Sequence, residues 1–253
     1  MNHLKDKVAI VTGAGQGVGR GIAAALAKAG ASVAVVGRSA ENTGMVAKEL
    51  VAQGLRAEPF ICDVKDSVAI VAMVEKVVAT FGGVDILVNN AQEVTLGTLL
   101  EIEDSAFLAS FESGPLATLR LMRVCHPHLA RSREGVIINL ASASGIRWDM
   151  TGYGTYGAVK QAIRVLTRAA AAEWALDGIR ALNIAPYADS PALKDWIESR
   201  PDESSAFFEA TPLRRIGRCE EDIGVAVAAL CAPAFSYMTG VTIPLDGGMA
   251  NFD

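Results

Sequence analysis

Short β-branched runs recur along the chain at 7–12, 32–37, 57–61, 84–89, 135–140, 179–185 and 241–245. Most are apolar throughout, as in KVAIVT, SVAVVG and GVIINL, rather than alternating. That is the pattern of parallel strands covered on both faces. Between the runs lie Ala-rich stretches with apolar residues at helical spacing, at about 17–30, 40–53, 66–81, 103–130, 153–176 and 220–232. Strand–helix alternation of this kind predicts a doubly wound α/β fold, a parallel sheet between two helical layers. No repeat, low-complexity linker or shift of composition divides the chain, so one domain over residues 1–253 is expected.

Two places break the rhythm. Residues 186–219 hold no strand-like run but four prolines and scattered apolar groups, including Leu193, Trp196, Phe207 and Phe208. A connection this long, leaving a strand's carboxyl end, suits a substrate lid at about 187–218; two short surface helices are the plainer alternative. The other break is Gly114–Pro115, set inside the helical spacing of Phe107, Phe111, Leu119, Met122 and Leu129. Proline lacks an N–H, so the carbonyl of Phe111 loses its helical partner and Gly114 is pushed away from helical geometry. Either a kink within one helix or a new helix starting near Pro115 would follow.

Half the residues are hydrophobic and mean hydropathy is +0.31, a surplus that suggests helix faces buried against other subunits. The apolar stretches are interrupted well short of a membrane span, so no membrane partner is expected. The opening MNHLKDKVAIV enters strand-like sequence at once, without a signal-peptide pattern. Net charge is −5 with no basic stripe, which argues against nucleic acid as the main partner. Cys62, Cys125, Cys219 and Cys231 have no CxxC spacing and read as reduced thiols of a cytoplasmic protein. The CHPH stretch at 125–128 lacks further ligand clusters and reads as structural sequence at a helix end, so no metal is expected.

TGAGQGVGRG follows the first strand and opens the first helix. Its glycines, Gly13, Gly17 and Gly19, follow G-x₃-G-x-G rather than G-x-G-x-x-G, with Gln16 and Val18 between them. Such a turn lets backbone approach a pyrophosphate seated at a positive helix N-terminus. About 20 residues on, an acid would accept the ribose hydroxyls of NAD. Here stand Gly37 and then Arg38, which suit the 2′-phosphate of NADP, with NAD as second choice. A solvent-exposed arginine after a strand is the alternative.

TGAGQGVG, CDV (62–64), NNAQ (89–92), Ser142, YGAVK (156–160) and PLDGG (244–248) occur in the order seen in the short-chain dehydrogenase/reductase family, which the chain resembles over nearly its whole length. The resemblance implies a Rossmann-like, seven-stranded parallel sheet and a homotetramer packed through the helices at about 103–130 and 153–176. It also implies that Asp63 and Val64 hold the adenine and that Asn90 and Ala91 pass along the cofactor ribose. Three departures stand out: Gln92 replaces the final glycine of NNAG, Pro186 is followed by Tyr187 instead of glycine, and Gly114 falls where the family carries a catalytic asparagine at a helix kink. Ser190 is a loose substitute for the threonine that binds the nicotinamide carboxamide.

Tyr156 and Lys160 are four apart, hence on one face of a helix. A free tyrosine has a pKa near 10 and needs a neighbouring cation to serve as an acid–base near neutral pH. Tyr156 would exchange the proton of a substrate oxygen, Lys160 would support it, and Ser142 would orient that oxygen. These residues point to an NADP(H)-dependent oxidoreductase interconverting a hydrophobic ketone and a secondary alcohol. Ile146, Trp148, Met150, Tyr153, Trp196 and Phe207 are the candidate apolar mouth. The rival reading is a cofactor-binding protein with little turnover, motivated by Gly114, Gln92 and Tyr187.

Overall fold

The computed structural model describes residues 2–147, 151–191 and 211–250, together with 193, 197, 198, 204, 205 and 209. Seven strands form one sheet: β1 (Val8–Thr12), β2 (Ser32–Gly37), β3 (Ala57–Ile61), β4 (Ile86–Asn89), β5 (Gly135–Leu140), β6 (Ile179–Pro186) and β7 (Thr242–Leu245). Their order is β3-β2-β1-β4-β5-β6-β7, and every pairing is parallel. The direction of winding reverses between β1 and β4. That reversal opens the crevice in which doubly wound sheets bind ligands.

The uninterrupted apolar runs are explained by two separate cores. Along β2, Val33 and Val35 face one core while Ala34 and Val36 face the other. The first core receives Ile22 and Leu26 from α1 (Gly17–Lys28) and Val46 and Leu50 from α2 (Ala40–Ala52). The second receives Ile70 and Val74 from α3 (Ser67–Phe81). A fully buried Ile or Leu is worth roughly 1.5–3 kcal/mol, so a one-residue slip of register would cost both layers at once. Asp66 fixes the start of α3 by accepting from the N–H groups of Val68 and Ala69, and Gly82 ends it in a left-handed turn.

The helical stretch expected at 103–130 is α4 (Asp104–Phe111), a π-helical turn (Glu112–Leu116) and α5 (Ala117–Ser132). Phe111, Glu112, Leu116 and Ala117 all keep right-handed helical dihedrals. The chain therefore neither stops nor restarts at Pro115. The lost i→i+4 bond is absorbed by widening one turn, in which the N–H of Ala117 reaches the carbonyl of Glu112.

Pro127 lies inside α5 and not at its end, correcting the sequence expectation. His126 beside it is structural: its Nε2 lies 2.9 Å from Asp177 Oδ2, and its ring meets Trp174 edge-on at 4.8 Å.

Helix α6 (Gly154–Glu173) carries Tyr156 and Lys160 and is fastened to the sheet by a buried polar ladder. Asn89, Asn139 and Asn183 sit in register on β4, β5 and β6. Asn89 donates to Asn139 at 2.8 Å, and Asn139 donates to Thr167 of α6 at 2.8 Å. Thr167 Oγ1 lies 2.7 Å from Asn183 Oδ1. Directed bonds of this kind fix the height and rotation of α6 more sharply than apolar contact does.

After β6, Ala188 pairs with Gly217 in an isolated parallel bridge, a pairing the apparent lack of strand over 186–219 concealed. Much of the expected lid, including Trp196 and Phe207, lies outside the described residues, as do Trp148 and Met150. A second π turn (Cys219–Gly224) leads into α7 (Val225–Leu230). Among the described residues no helix is long and apolar enough to cross a membrane.

Candidate active site

The glycine turn is held by Asn90. Its Nδ2 donates to the carbonyl of Thr12 at 2.8 Å and to that of Gly13 at 3.2 Å. Thr12 Oγ1 accepts from the backbone N–H groups of Asn90 and Ala91. A Cβ on Gly13 would stand 2.6 Å from Asn90 Nδ2, and one on Gly19 would stand 2.4 Å from both that atom and the carbonyl of Gly13. These glycines thus admit the Asn90 amide as well as a ligand, and Asn90 braces the loop.

A cavity of about 340 Å³ opens over this turn. From the predicted set its wall takes Gly13, Gln16, Arg38, Asp63, Val64 and Ala91, together with Gln92 and Glu93. Gly17, Val18 and Gly19 form the first turn of α1, which has neither a side-chain cap nor an acidic residue. Its first N–H groups are thereby left without an intrahelical partner, an arrangement that can hold a phosphate. Arg38 makes an ion pair with Glu93, whose other carboxylate oxygen accepts from Lys65 at 3.0 Å. Sequence reasoning missed Glu93 and Lys65. Only the ends of β2, β3 and β4 meeting at one sheet edge bring them to Arg38. Cys62 also lines the wall, its thiol pushed up to about 11 by burial and then by the charges of Asp63 and Asp66.

Further along the sheet edge, Ser142 follows β5 and faces Tyr156 on α6. Ser142 accepts from Ser144, from its N–H at 3.2 Å and its hydroxyl at 2.9 Å. Burial pushes the Tyr156 phenol up to about 12, a hydrogen bond with Ser142 opposes the rise, and Tyr153 adds to it. The ring of Tyr153 meets that of Tyr156 edge-on at 6.2 Å. Lys160 is buried at 5 % exposure. Its Nζ donates to the carbonyl of Leu140 at 2.7 Å and lies 5.5 Å from the centre of the Tyr156 ring. Desolvation brings Lys160 down to about 7. The chain therefore gathers a phenol, a hydroxyl and an ammonium that titrates near neutrality.

Of the remaining candidates, Ser190 lies against the glycine turn, where a Cβ on Gly17 would stand 3.7 Å from the Ser190 Cβ. Ser190 Oγ accepts from the N–H of Leu193 at 3.3 Å. Tyr187 lines a second cavity of about 550 Å³ with Pro212, Leu213 and Leu245. Asp246 of PLDGG accepts from the N–H groups of Gly248 and Ala250, folding the end of the described chain back on itself.

A family profile described as "Enoyl-(Acyl carrier protein) reductase" matches residues 13–250, nearly the whole chain. The chain belongs to the short-chain dehydrogenase/reductase family. It is an NAD(P)-dependent oxidoreductase. As a short-chain dehydrogenase/reductase it is 37 % identical over 258 residues to the 12α-hydroxysteroid dehydrogenase of Clostridium sp., covering 98 % of each chain. It is 32 % identical to a tropinone reductase homolog of Arabidopsis thaliana, covering 97 % of this chain and 92 % of that one. Among solved structures it superposes with a TM-score of 0.93 on a 7α-hydroxysteroid dehydrogenase complexed with NADH and 7-oxo glycochenodeoxycholic acid. Identity there is 31 %, over 98 % of this chain and 96 % of the other.

The buried lysine of this short-chain dehydrogenase/reductase has a measurable consequence. Its pKa falls from 10.5 to about 7 on folding, so between those values the unfolded chain binds a proton that the folded chain does not. Stability of the cofactor-free enzyme therefore rises with pH through this window, and the gain is lost as pH falls towards 7. Lys160→Met should flatten the rise, read by thermal unfolding from about pH 7 to about 9, below the range where Tyr156 titrates. An unchanged slope in the variant would place the effect in another group.

Proposed function

We propose that this protein interconverts a bulky, hydrophobic cyclic ketone and its secondary alcohol with NADP(H), working as a homotetramer in the cytoplasm. The observation that carries the reading is the meeting of Ser142, Tyr156 and Lys160 at one end of the sheet, beside a cavity suited to a dinucleotide. The fit of that cavity rests on its glycine wall, the uncapped N-terminus of α1 and the cation Arg38. When bound, the dinucleotide supplies or accepts a hydride.

The chain's own residues do the rest. Ser142 hydrogen-bonds the substrate oxygen and holds it towards Tyr156. In reduction, Tyr156 gives its proton to that oxygen as the carbonyl carbon is reduced; in oxidation it takes the proton back. Lys160, whose ammonium form burial disfavours, stabilises the phenolate when charged, and its neutral form can accept a proton and pass it onward. The hydroxysteroid dehydrogenases among the relatives support a fused-ring substrate class. Leu108 and Phe111 on α4 and Val165 on α6 are exposed apolar groups, which supports assembly through those helices.

Steady-state assays with NADPH and NADH on aryl, alicyclic, steroidal and acyl-thioester ketones test the proposal. Turnover is expected on alicyclic or steroidal ketones, with NADPH the better donor. Absence of turnover on the whole panel, in protein shown to bind cofactor, would contradict it.

A further inference from the structure

Gln92 is the second residue after the Asn90 brace, where the chain leaves β4 and forms part of the cavity wall. Its Nε2 and Oε1 are both shielded from solvent, and neither has a hydrogen-bond partner among the described residues. Its neighbours in the wall are served: Glu93 by Arg38 and Lys65, and Ser113 by the carbonyl of Ala109 and the N–H of Glu93. A buried carboxamide with both ends unpaired lowers stability, whereas an apolar side chain of the same length would fill the space without that penalty. Filling space does not explain a glutamine here.

The same carboxamide shares with Val159 the space over Gly114. A Cβ on that residue would stand 3.3 Å from both Cδ and Nε2 of Gln92, and 2.9 Å from Cγ1 of Val159. The π turn with Pro115 brings the bare Cα of Gly114 against the amide, and Val159 is the neighbour of Lys160. The amide is seated between the cavity and the helix that carries the acid–base pair.

We propose that Gln92 is a cofactor-binding residue whose carboxamide hydrogen-bonds a ribose hydroxyl of the dinucleotide, and that the missing side chain of Gly114 leaves room for both this amide and Val159. A hydroxyl both donates and accepts, so it can serve either end of an amide. The inference rests on dinucleotide binding in this cavity and is independent of the substrate.

The test is equilibrium binding of NADP⁺ alone, followed by fluorescence, alongside thermal unfolding of the cofactor-free protein. Gln92→Met should weaken NADP⁺ binding about tenfold and leave the unfolding temperature of the free protein unchanged or raised. Gly114→Ala, whose methyl would press on both Val159 and the amide, should also weaken binding, and the part of that loss transmitted through the amide should vanish in a Gln92→Met background. Wild-type affinity in Gln92→Met overturns the inference, as does a loss of affinity matched by a loss of free-protein stability, the mark of a packing residue. Should the wild type itself bind no dinucleotide, the cofactor reading of the cavity falls too.

Discussion

Tyr156→Phe should lower kcat by about a thousandfold, within the range a positioned acid–base contributes, while NADP⁺ binding stays near wild type. The substitution removes one oxygen and little else. The ring keeps its edge-on contact with Tyr153 and its place 5.5 Å from Lys160 Nζ. Ser142 loses its partner at the phenol but keeps Ser144. In the cofactor-free chain the Tyr156 proton is held too tightly, up to about 12 with burial the main cause, so the hydroxyl can work near neutrality only with a charged Lys160 and an oxidised cofactor beside it. Steady-state kinetics with parallel binding measurements check this. Activity within tenfold of wild type would mean that the proton comes from another group. Loss of binding together with turnover would mean that Tyr156 holds the site together instead of serving the chemistry.

Arg38→Asp should weaken NADP⁺ by about a hundredfold, the scale expected when a charge-assisted hydrogen bond to phosphate gives way to a repulsion, and should improve NAD⁺ binding. The ion pair with Glu93 sharpens this expectation. In the wild type Arg38 and Lys65 balance Glu93 and Asp63 around the wall. After the substitution three carboxylates face Lys65 alone, and a phosphate dianion is repelled by all of them. Titration of both dinucleotides into wild type and variant decides the matter. A wild type that already prefers NAD⁺ would reduce Arg38 to the partner of Glu93.

The strands were legible because burial on both faces leaves an unbroken apolar run, and β2 with its two cores is the clearest case. Tyr156 and Lys160 were legible because helical spacing puts them on one face and because Ser142 and the glycine turn accompany them; the spacing by itself reads as a surface pair. Glu93 was not, since a carboxylate shared by Arg38 and Lys65 arises from the meeting of three strand ends and from no local pattern. The buried ladder of Asn89, Asn139, Asn183 and Thr167 was hidden for a similar reason. Asn89 ends β4 while Asn139 and Asn183 lie within β5 and β6, and only the parallel register aligns the three. Gln92 and Gly114 were both visible as departures from the family pattern, but as two separate ones. Only the fold brings them together. Pro127 misled because an interior proline is tolerated where the surrounding helix is packed firmly on a core, as Cys125 and Leu129 are.

Whether this protein reduces a carbonyl group is decided by the product of one labelled reaction. An alicyclic or steroidal ketone is incubated with NADPH carrying deuterium at both C4 positions, and the alcohol is analysed by mass spectrometry. Carbonyl reduction predicts an alcohol with a single deuterium on its carbinol carbon, formed by the wild type and lost in Tyr156→Phe. Bound cofactor with no labelled alcohol from any ketone of the panel would contradict it and favour a protein that holds the dinucleotide without turning it over.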